Sequence, residues 1–193
     1  ASHGAIPDCG VDALLVACQV VNSLQSIVSR SVSPLDSAVV TVGSIDSGKA
    51  ANIISDYAKI EGTLRSFSEK TKNLLKSKLE SIAINTAKAF GAYAEVEFIE
   101  GYEALINHDE NVDKVKNVAK LILGENNVIE IESPTMGVED FSYYLNKVPG
   151  AFFFLGSGFP DRYNPPLHSA NFNINEECIR TGIMLFTCLI LQK

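Results

Sequence analysis

Residues 58–90 have the sequence AKIEGTLRSFSEKTKNLLKSKLESIAINTAKAF, whose hydrophobic period changes within one short connection. Apolar and polar residues alternate over residues 57–67, a pattern typical of a β-strand with one buried face. Apolar residues then recur at three- and four-residue steps, which predicts a helix over about 69–90 with Ser68 as its N-cap. The predicted inner face of this helix consists of Leu75, Leu79, Ile82, Ala89 and Phe90.

The neighbouring segments extend this unit into a larger pattern. Residues 11–30 carry one apolar stripe at helical spacing, residues 39–45 are β-branched and short, and residues 94–98 alternate again. Residues 1–100 therefore have the predicted order αββαβ. A ferredoxin-like sandwich has the order βαββαβ, so one strand is missing and is expected just before Ala1.

The second half of the sequence has a different organisation. The elements predicted there are a helix over 110–123, a short apolar element over 128–131, a helical segment over 141–145, a strand buried on both faces over 151–155, and a helix after Asn175. The predicted inner stripe of the last helix consists of Ile179, Ile183, Phe186 and Ile190. We predict two domains of mixed α/β (α+β) class, residues 1–103 and 104–193, the second having too few strands for a complete α/β layer.

Charge and composition exclude several classes of function. The 16 Lys+Arg and 23 Asp+Glu give a net charge of −7, and no basic stripe is present, so nucleic-acid and anionic-membrane partners are not expected. No apolar run approaches the roughly 20 residues that a membrane span needs. The four cysteines form no disulfide framework, which favours a cytoplasmic protein. Phosphate-loop, dinucleotide-binding and nucleophile-elbow motifs are absent.

Five polar residues are candidates for chemistry, each with an ordinary structural alternative. His3 lies among small residues that let a substrate approach, and His168 follows two prolines that stiffen its loop. Arg65 ends the polar face of a strand, either as an exposed arginine or as a fork for a carboxylate. Asn52 fits a turn or an amide donor to a substrate, and Glu139 fits a helix start or a cleft.

Six motifs together resemble one family, the peptidase family M20 amidohydrolases, in the branch of hippurate hydrolases, N-acyl-amino-acid amidohydrolases and auxin-conjugate hydrolases. The motifs are SHGAIP at 2–7, PLDSAVVTVG at 34–43, ANII at 51–54, GTLRSF at 62–67, MGVEDFSYY at 136–144 and PLH at 166–168. They occur in the family's order and spacing over nearly the whole chain.

The resemblance implies a catalytic α/β domain with two divalent metal ions (zinc, manganese, cobalt or nickel), interrupted by a ferredoxin-like lid that also forms a homodimer. Residues 1–103 would be the lid without its first strand, and residues 104–193 the C-terminal part of the metallopeptidase-like catalytic domain. The N-terminal catalytic half, with most metal ligands and the glutamate general base, would lie outside this chain. The implied reaction is hydrolysis of the amide bond of an N-acyl amino acid or small peptide.

The resemblance also implies roles for the candidate residues. His168 matches the metal-binding histidine of the C-terminal half. His3 matches the lid histidine that reaches across the dimer to the reacting carbonyl oxygen in the partner's site. Asn52 and Arg65 match lid residues that hold the substrate, with Arg65 on its carboxylate. Glu139 matches a motif acid to which we assign no role.

The sequence leaves alternatives open. The branch usually has a histidine after Pro7, whereas this chain has Asp8, so no role is carried over to that position. With one plausible metal ligand where catalytic zinc needs about three protein ligands, the isolated chain is expected not to hold the metal ions and to be inactive. A non-catalytic dimerisation or ligand-binding module, or an inactive remnant of the enzyme, would carry the same lid.

Overall fold

The computed structural model describes residues 1–191, which form two compact units, Ala1–Ala104 and the part that begins at Leu105. The strands are β1 (Ser2–His3), β2 (Ala38–Ser47), β3 (Ile53–Ile54) and β4 (Ala58–Ser66). The helices are α1 (Ala13–Leu24), α2 (Glu69–Ala89), α3 (Asp109–Leu123), α4 (Ser142–Leu145) and α5 (Glu177–Leu191). The mixed α/β class predicted from the sequence is confirmed. Within residues 1–191, no helix is long and apolar enough to cross a membrane.

The main sheet of the first unit is the antiparallel pair β2–β4. A β-bulge shifts the register between Val42 and Ser44, opposite Glu61 and Gly62 in the middle of the alternating stretch 57–67. A Cβ atom at Gly62 would lie 2.1 Å from the carbonyl oxygen of Thr41, so only glycine fits this close approach of the two strands. Strands β1 and β3 form a second, two-residue antiparallel pair.

Helices α1 and α2 supply the core that covers this sheet. Ser68 is the N-cap of α2 as predicted, because its hydroxyl oxygen accepts a hydrogen bond of 3.1 Å from the Thr71 N–H. Asp12 caps α1 in the same way, through the Leu15 N–H at 3.1 Å. The buried members of the core are Val16, Val20, Leu24, Ile27, Leu75, Ala83 and Ala87.

The inner face of α2 differs in its last turn from the prediction. The row that faces the core advances in steps of four through Thr71, Leu75, Leu79, Ala83 and Ala87, with Ile82 also packed against it. Ala89 and Phe90 are exposed, so their predicted inward position is wrong. Two small alanines close the row on α2, the helix against which α1 packs.

The strand predicted over residues 94–98 is wrong as a strand. Side chains in this segment alternate between half-buried and exposed, and Ala92, Ala94 and Val96 pack against the core. No strand pairing within residues 1–191 includes the segment. A hydrophobic period of two indicates only that one face of the segment is buried. A strand also needs a hydrogen-bonded neighbour.

The second unit is built on α3 and α5, and the start of each helix was predicted within one or two residues. Its buried core consists of Val118, Ala119 and Leu185. The predicted helical segment over 141–145 is α4, which is only four residues long.

The predicted inner stripe of α5 is wrong. Its four members, Ile179, Ile183, Phe186 and Ile190, are 55–74% exposed. The helix packs instead through the face that carries Gly182, Leu185 and Leu189. A Cβ at Gly182 would lie 3.3 Å from the Leu155 side chain, so this face permits the closest approach. Because α5 is apolar on two faces, hydrophobic period alone could not identify the packed one.

The predicted strand over residues 151–155 is also wrong. The Phe152 N–H donates to Asn107 Oδ1 at 2.7 Å, and the Asn107 amide nitrogen donates to the Phe152 carbonyl at 2.9 Å. A side-chain amide 45 positions away thus satisfies backbone groups that a neighbouring strand would normally satisfy. Phe154 is exposed, so the segment is not buried on both faces.

Glu100, which follows the segment 94–98, forms ion pairs with Lys72 and Lys76. These ion pairs lead to a prediction about acid stability. Hydrogen bonds from Lys76 and Lys72 lower the pKa of Glu100 from 4.5 to about 2. Because the folded-state pKa is the lower one, the stabilisation is present above pH 4.5 and is lost as the pH falls towards 2. Glu100→Gln is expected to flatten the decline of Tm over this pH range. Glu97→Gln, whose carboxylate makes no ion pair within residues 1–191, is the control; an equal effect in both variants would contradict the prediction.

Candidate functional site

His3 and Asn52 lie side by side in the first unit, although 49 positions separate them in the sequence. Strand β1 pairs with β3 so that His3 is opposite Ile53. The next residue, Gly4, donates its N–H to the carbonyl oxygen of Asn52 at 2.8 Å. Both His3 and Asn52 are exposed. The structure therefore brings the backbones of His3 and Asn52 together at one end of this unit.

One ring nitrogen of His3 is already occupied by a local hydrogen bond. Nδ1 accepts from the Ala5 N–H at 3.0 Å. In the neutral imidazole, an accepting Nδ1 leaves the proton on Nε2. Nε2–H can then donate outward to an oxygen of a bound molecule, as a residue that stabilises a carbonyl oxygen must do.

Arg65 lies at the other end of the same unit. It is the eighth residue of β4, pairs with Val39 of β2 and is half-buried. His3 lies near the start of β4, because the Ala1 amino group is 3.3 Å from the carboxylate of Asp56. At about 3.3 Å per strand residue, Arg65 is about 20 Å away from that end. The first unit therefore brings His3 and Asn52 together but keeps Arg65 apart from them.

His168 in the second unit has an unusual backbone conformation. The Ser169 N–H donates to the carbonyl oxygen of Pro166 at 3.2 Å, which closes a four-residue turn with His168 in third position. Its φ of 68° makes it the only non-glycine residue with positive φ in the described part of the chain. Glycine usually fills this position in such a turn. The side chain of His168 is exposed, so this backbone outlier makes His168 a candidate functional residue.

Glu139 is exposed and immediately precedes α4. Its carbonyl oxygen accepts from the Ser142 N–H at 3.2 Å, so its backbone helps to start the helix. Residues 1–191 contain no cluster of three or more His, Cys, Asp or Glu side chains that could hold a metal ion. An exposed imidazole such as His168 is a good ligand for zinc and related ions. The donor set fits one metal ligand rather than a complete site.

His108 has contacts that sequence reasoning missed. The sequence suggests a solvated residue at a helix start, and His108 does occupy the N-cap of α3, but its side chain caps nothing. Its Nδ1 instead accepts from the Gly150 N–H at 3.3 Å, beside the pairing of Asn107 with Phe152. No local signal indicates this contact, because its partner is 42 positions away.

Comparison with known sequences places the chain in a family. Residues 6–192 match the sequence model of peptidase family M20/M25/M40. The chain belongs to this family. Its resemblance to the M20 amidohydrolases in the six motifs is thereby confirmed, and the similarity extends over both units.

Three known proteins are similar to this M20 chain. IAA-amino acid hydrolase ILR1-like 4 of Arabidopsis thaliana is 38% identical over 190 residues, which are 95% of this chain and 42% of the relative. A candidate aminohydrolase of methicillin-resistant Staphylococcus aureus superposes with a TM-score of 0.81 at 29% identity, covering 100% of this chain and 50% of that one.

The third relative, Bacillus subtilis YXEP, is described as a dinuclear metal-binding peptidase of the M20 family. It superposes with a TM-score of 0.73 at 23% identity, covering 93% of this chain and 45% of that one, and so supports the fold alone. The chain thus spans about half the length of the M20 relatives it matches.

Proposed function

We propose that this chain is part of a metal-dependent amidohydrolase that hydrolyses the amide bond of N-acyl amino acids or small peptides. Membership of the M20 family supports a hydrolase, and the similarity to an IAA-amino acid hydrolase supports an amide-linked amino acid as the substrate class. The observation that carries the proposal is the exposed His3–Asn52 pair, in which His3 Nε2–H is free to donate.

Each candidate residue has a distinct task in this reaction. When bound, divalent metal ions polarise the amide carbonyl and lower the pKa of a water molecule. His168 would hold one of the ions through its imidazole. His3 would donate to the carbonyl oxygen as negative charge develops there, with Asn52 beside it to orient the substrate. Arg65 would bind the substrate carboxylate through two parallel hydrogen bonds and fix the amide in position.

The distance between His3 and Arg65 along β4 supports a homodimer. A small N-acyl amino acid cannot contact His3 and Arg65 of the same protomer if these residues lie about 20 Å apart. Two protomers resolve this difficulty when His3 and Asn52 of one protomer act on the substrate that Arg65 of the other holds. The second edge of β2 has no strand partner within residues 1–191. An open groove beside it is lined by β2 and by Cys18, Val21 and Asn22 of α1 with its C-cap Gln25. This groove gives a second copy a surface on which to pair.

Mixing two inactive variants tests this arrangement in the full-length protein. His3→Ala and Arg65→Ala are each expected to be nearly inactive, because every site in either homodimer lacks one residue. In hybrid dimers, one site lacks both residues and the other is intact, so random mixing should restore about a quarter of the wild-type activity. The measurement is turnover before and after subunit exchange. No recovery, with exchange verified by mass spectrometry, would place both residues in the same protomer's site.

Replacing Arg65 with lysine tests the substrate class. Lysine keeps the charge but cannot form the planar, two-point contact with a carboxylate. Arg65→Lys is expected to lower kcat/KM for an N-acyl amino acid by about 10-fold or more, and to change kcat/KM for the matching C-terminal amide little. The control is Arg162→Lys, an arginine that lies over the Phe159 ring in the second unit. Equal losses on acid and amide substrates would contradict carboxylate recognition.

A non-catalytic dimerisation module is the second candidate function. The unpaired edge of β2 and the groove beside α1 favour it, because they need no metal and no substrate. This alternative predicts a dimer in which the replacement of His3 or His168 has no measurable consequence.

A further inference from the structure

The loop over residues 156–175, which carries His168, is held by hydrogen bonds within itself although it contains no helix or strand. At its base, the Asn175 N–H donates to the carbonyl oxygen of Ser157 at 2.8 Å, so the two ends of the loop lie together. A second set of contacts inside the loop is made by the side chain of Asn164. His168 therefore lies in a closed loop with internal contacts of its own.

The Asn164 side chain uses both ends of its amide on the backbone of one other residue. Its Oδ1 accepts from the Phe159 N–H at 2.8 Å, and its Nδ2 donates to the Phe159 carbonyl oxygen at 2.9 Å. Nδ2 also donates to the carbonyl oxygen of Arg162 at 3.3 Å. Because the donor and the acceptor are both engaged, only one orientation of the amide satisfies them. We call these three hydrogen bonds the Asn164 clasp.

Gly158 leaves the space in which the amide of the Asn164 clasp lies. A Cβ atom at this position would be 3.0 Å from Nδ2 and 3.3 Å from Oδ1 of Asn164, so a side chain there would press on the amide. The chain just before Gly158 is anchored, because Phe153 and Leu155 pack against the core of the second unit. The Asn164 clasp thus connects the loop to a part of the chain that the core holds.

Few freely rotating backbone bonds separate the Asn164 clasp from His168. Pro165 and Pro166 follow Asn164 directly, and their rings fix φ at about −65°. The carbonyl oxygen of Pro166 then accepts from the Ser169 N–H at 3.2 Å, which closes the turn that holds His168 at its φ of 68°. A displacement at Asn164 is therefore passed on to the imidazole, because the backbone between them has little freedom to absorb it.

We infer that Asn164 is a positioning residue, whose clasp sets the place of the His168 imidazole and so raises the affinity of the protein for the metal ion that His168 binds. The inference rests on the proposed function, in which His168 is a metal ligand. An imidazole nitrogen must reach such an ion at about 2.0–2.1 Å, so a small displacement of the turn weakens the bond. All three hydrogen bonds of the clasp are exposed to solvent, so their loss should change Tm little.

A double-mutant cycle in the full-length protein tests the inference. The affinity for Zn²⁺ is measured by competition with a chelator for the wild type, Asn164→Ala, His168→Ala and the double variant. Asn164→Ala is expected to lower the affinity by about 10–100-fold, and to lower it no further once residue 168 is alanine. Asn164→Asp keeps the shape of the side chain but loses the donor to the Phe159 carbonyl, so it should also lower the affinity. An unchanged affinity in Asn164→Ala, or the same loss with and without His168, would overturn the inference.

Asn107→Ala is the matched control for this cycle. The Asn107 amide makes the same two hydrogen bonds with the backbone of Phe152, but they are partly buried and lie outside the loop that carries His168. This variant should have a lower Tm and the wild-type affinity for Zn²⁺, whereas Asn164→Ala should have nearly the wild-type Tm and a lower affinity. An equal loss of affinity in both variants would overturn the inference, because general loosening of the second unit would then explain it.

Hydrogen exchange of the metal-free protein tests the clasp without any metal. In Asn164→Ala, exchange of the Phe159 and Ser169 N–H groups is expected to be about tenfold faster or more, because the loop opens more often. Unchanged exchange at Ser169 would overturn the inference. The outcomes also separate it from the proposed function: wild-type Zn²⁺ affinity in His168→Ala would refute the ligand assignment together with the inference. Weak binding in His168→Ala with full affinity in Asn164→Ala would refute the inference alone.

Discussion

Replacing His168 with glycine in the full-length protein is expected to abolish metal-dependent turnover without destabilising the fold. The imidazole is the metal ligand proposed for this part of the enzyme, and even partners that only orient ligands cost about 10–100-fold in metal affinity when lost. The backbone at this position, in contrast, favours glycine over histidine. At a φ of 68°, glycine relieves about 1 kcal/mol of strain that histidine bears. Metal content, turnover and the Tm of the metal-free protein measure the two effects separately.

His108→Gly is the matched control for this substitution. His108 is also an exposed histidine of the second unit, but its φ is −89°, so glycine relieves no strain there. The variant loses the hydrogen bond between the imidazole and the Gly150 N–H, and should have a lower Tm and a full metal content. Full metal occupancy in His168→Gly, or equal metal loss in both variants, would contradict the assignment of His168 as a ligand.

The parts of the fold that depend on local signals could be predicted from the sequence. Ser68 caps α2, β4 coincides with the alternating stretch, and α3 begins one residue before its predicted start. Each depends on contacts between residues close in the chain, where hydrogen-bond geometry and hydrophobic period act directly. The bulge at Val42 was not predicted, because it depends on how β2 meets a strand 20 positions away.

The elements that were predicted wrongly depend on contacts between residues far apart in the chain. Helix α5 has two apolar faces, and the packed one is decided by Gly182, which lets the Leu155 side chain approach. Residues 92–98 have a hydrophobic period of two but no strand partner within residues 1–191. In the segment 151–155, the backbone of Phe152 is paired with the Asn107 side chain. In each case the sequence specifies which face is apolar, and the neighbour that covers it is determined elsewhere in the chain.

The candidate site was predictable as residue types but not as geometry. The motifs that resemble the M20 amidohydrolases contain His3, Asn52 and Arg65, and their roles remain proposals. The structure adds that the first two are adjacent and that the third lies at the far end of β4. Such separation follows from strand length and register, which emerge only when the pairings are known. The positive φ of His168 likewise depends on a turn in a loop without regular period.

Replacing His3 with alanine in the full-length protein is expected to lower kcat by about 10²–10³-fold, the usual cost of removing one donor to a developing oxyanion. Because Nε2–H would interact mainly with the charged oxygen of the transition state, kcat and kcat/KM should fall together while KM changes little. The metal content should stay at the wild-type value, since His3 is assigned to the carbonyl oxygen rather than to a metal. Steady-state kinetics and metal analysis on the same preparation measure both.

His3→Gln separates the donor from the ring. A glutamine amide can donate from nearly the same place as Nε2, so this variant should recover part of the turnover that His3→Ala loses. The backbone of β1 is paired with β3 in either variant, so that Tm should not distinguish them. A loss of metal in His3→Ala would reassign the residue as a ligand. Equal turnover in His3→Ala and the wild type would remove the exposed His3–Asn52 pair as the basis of the proposed function.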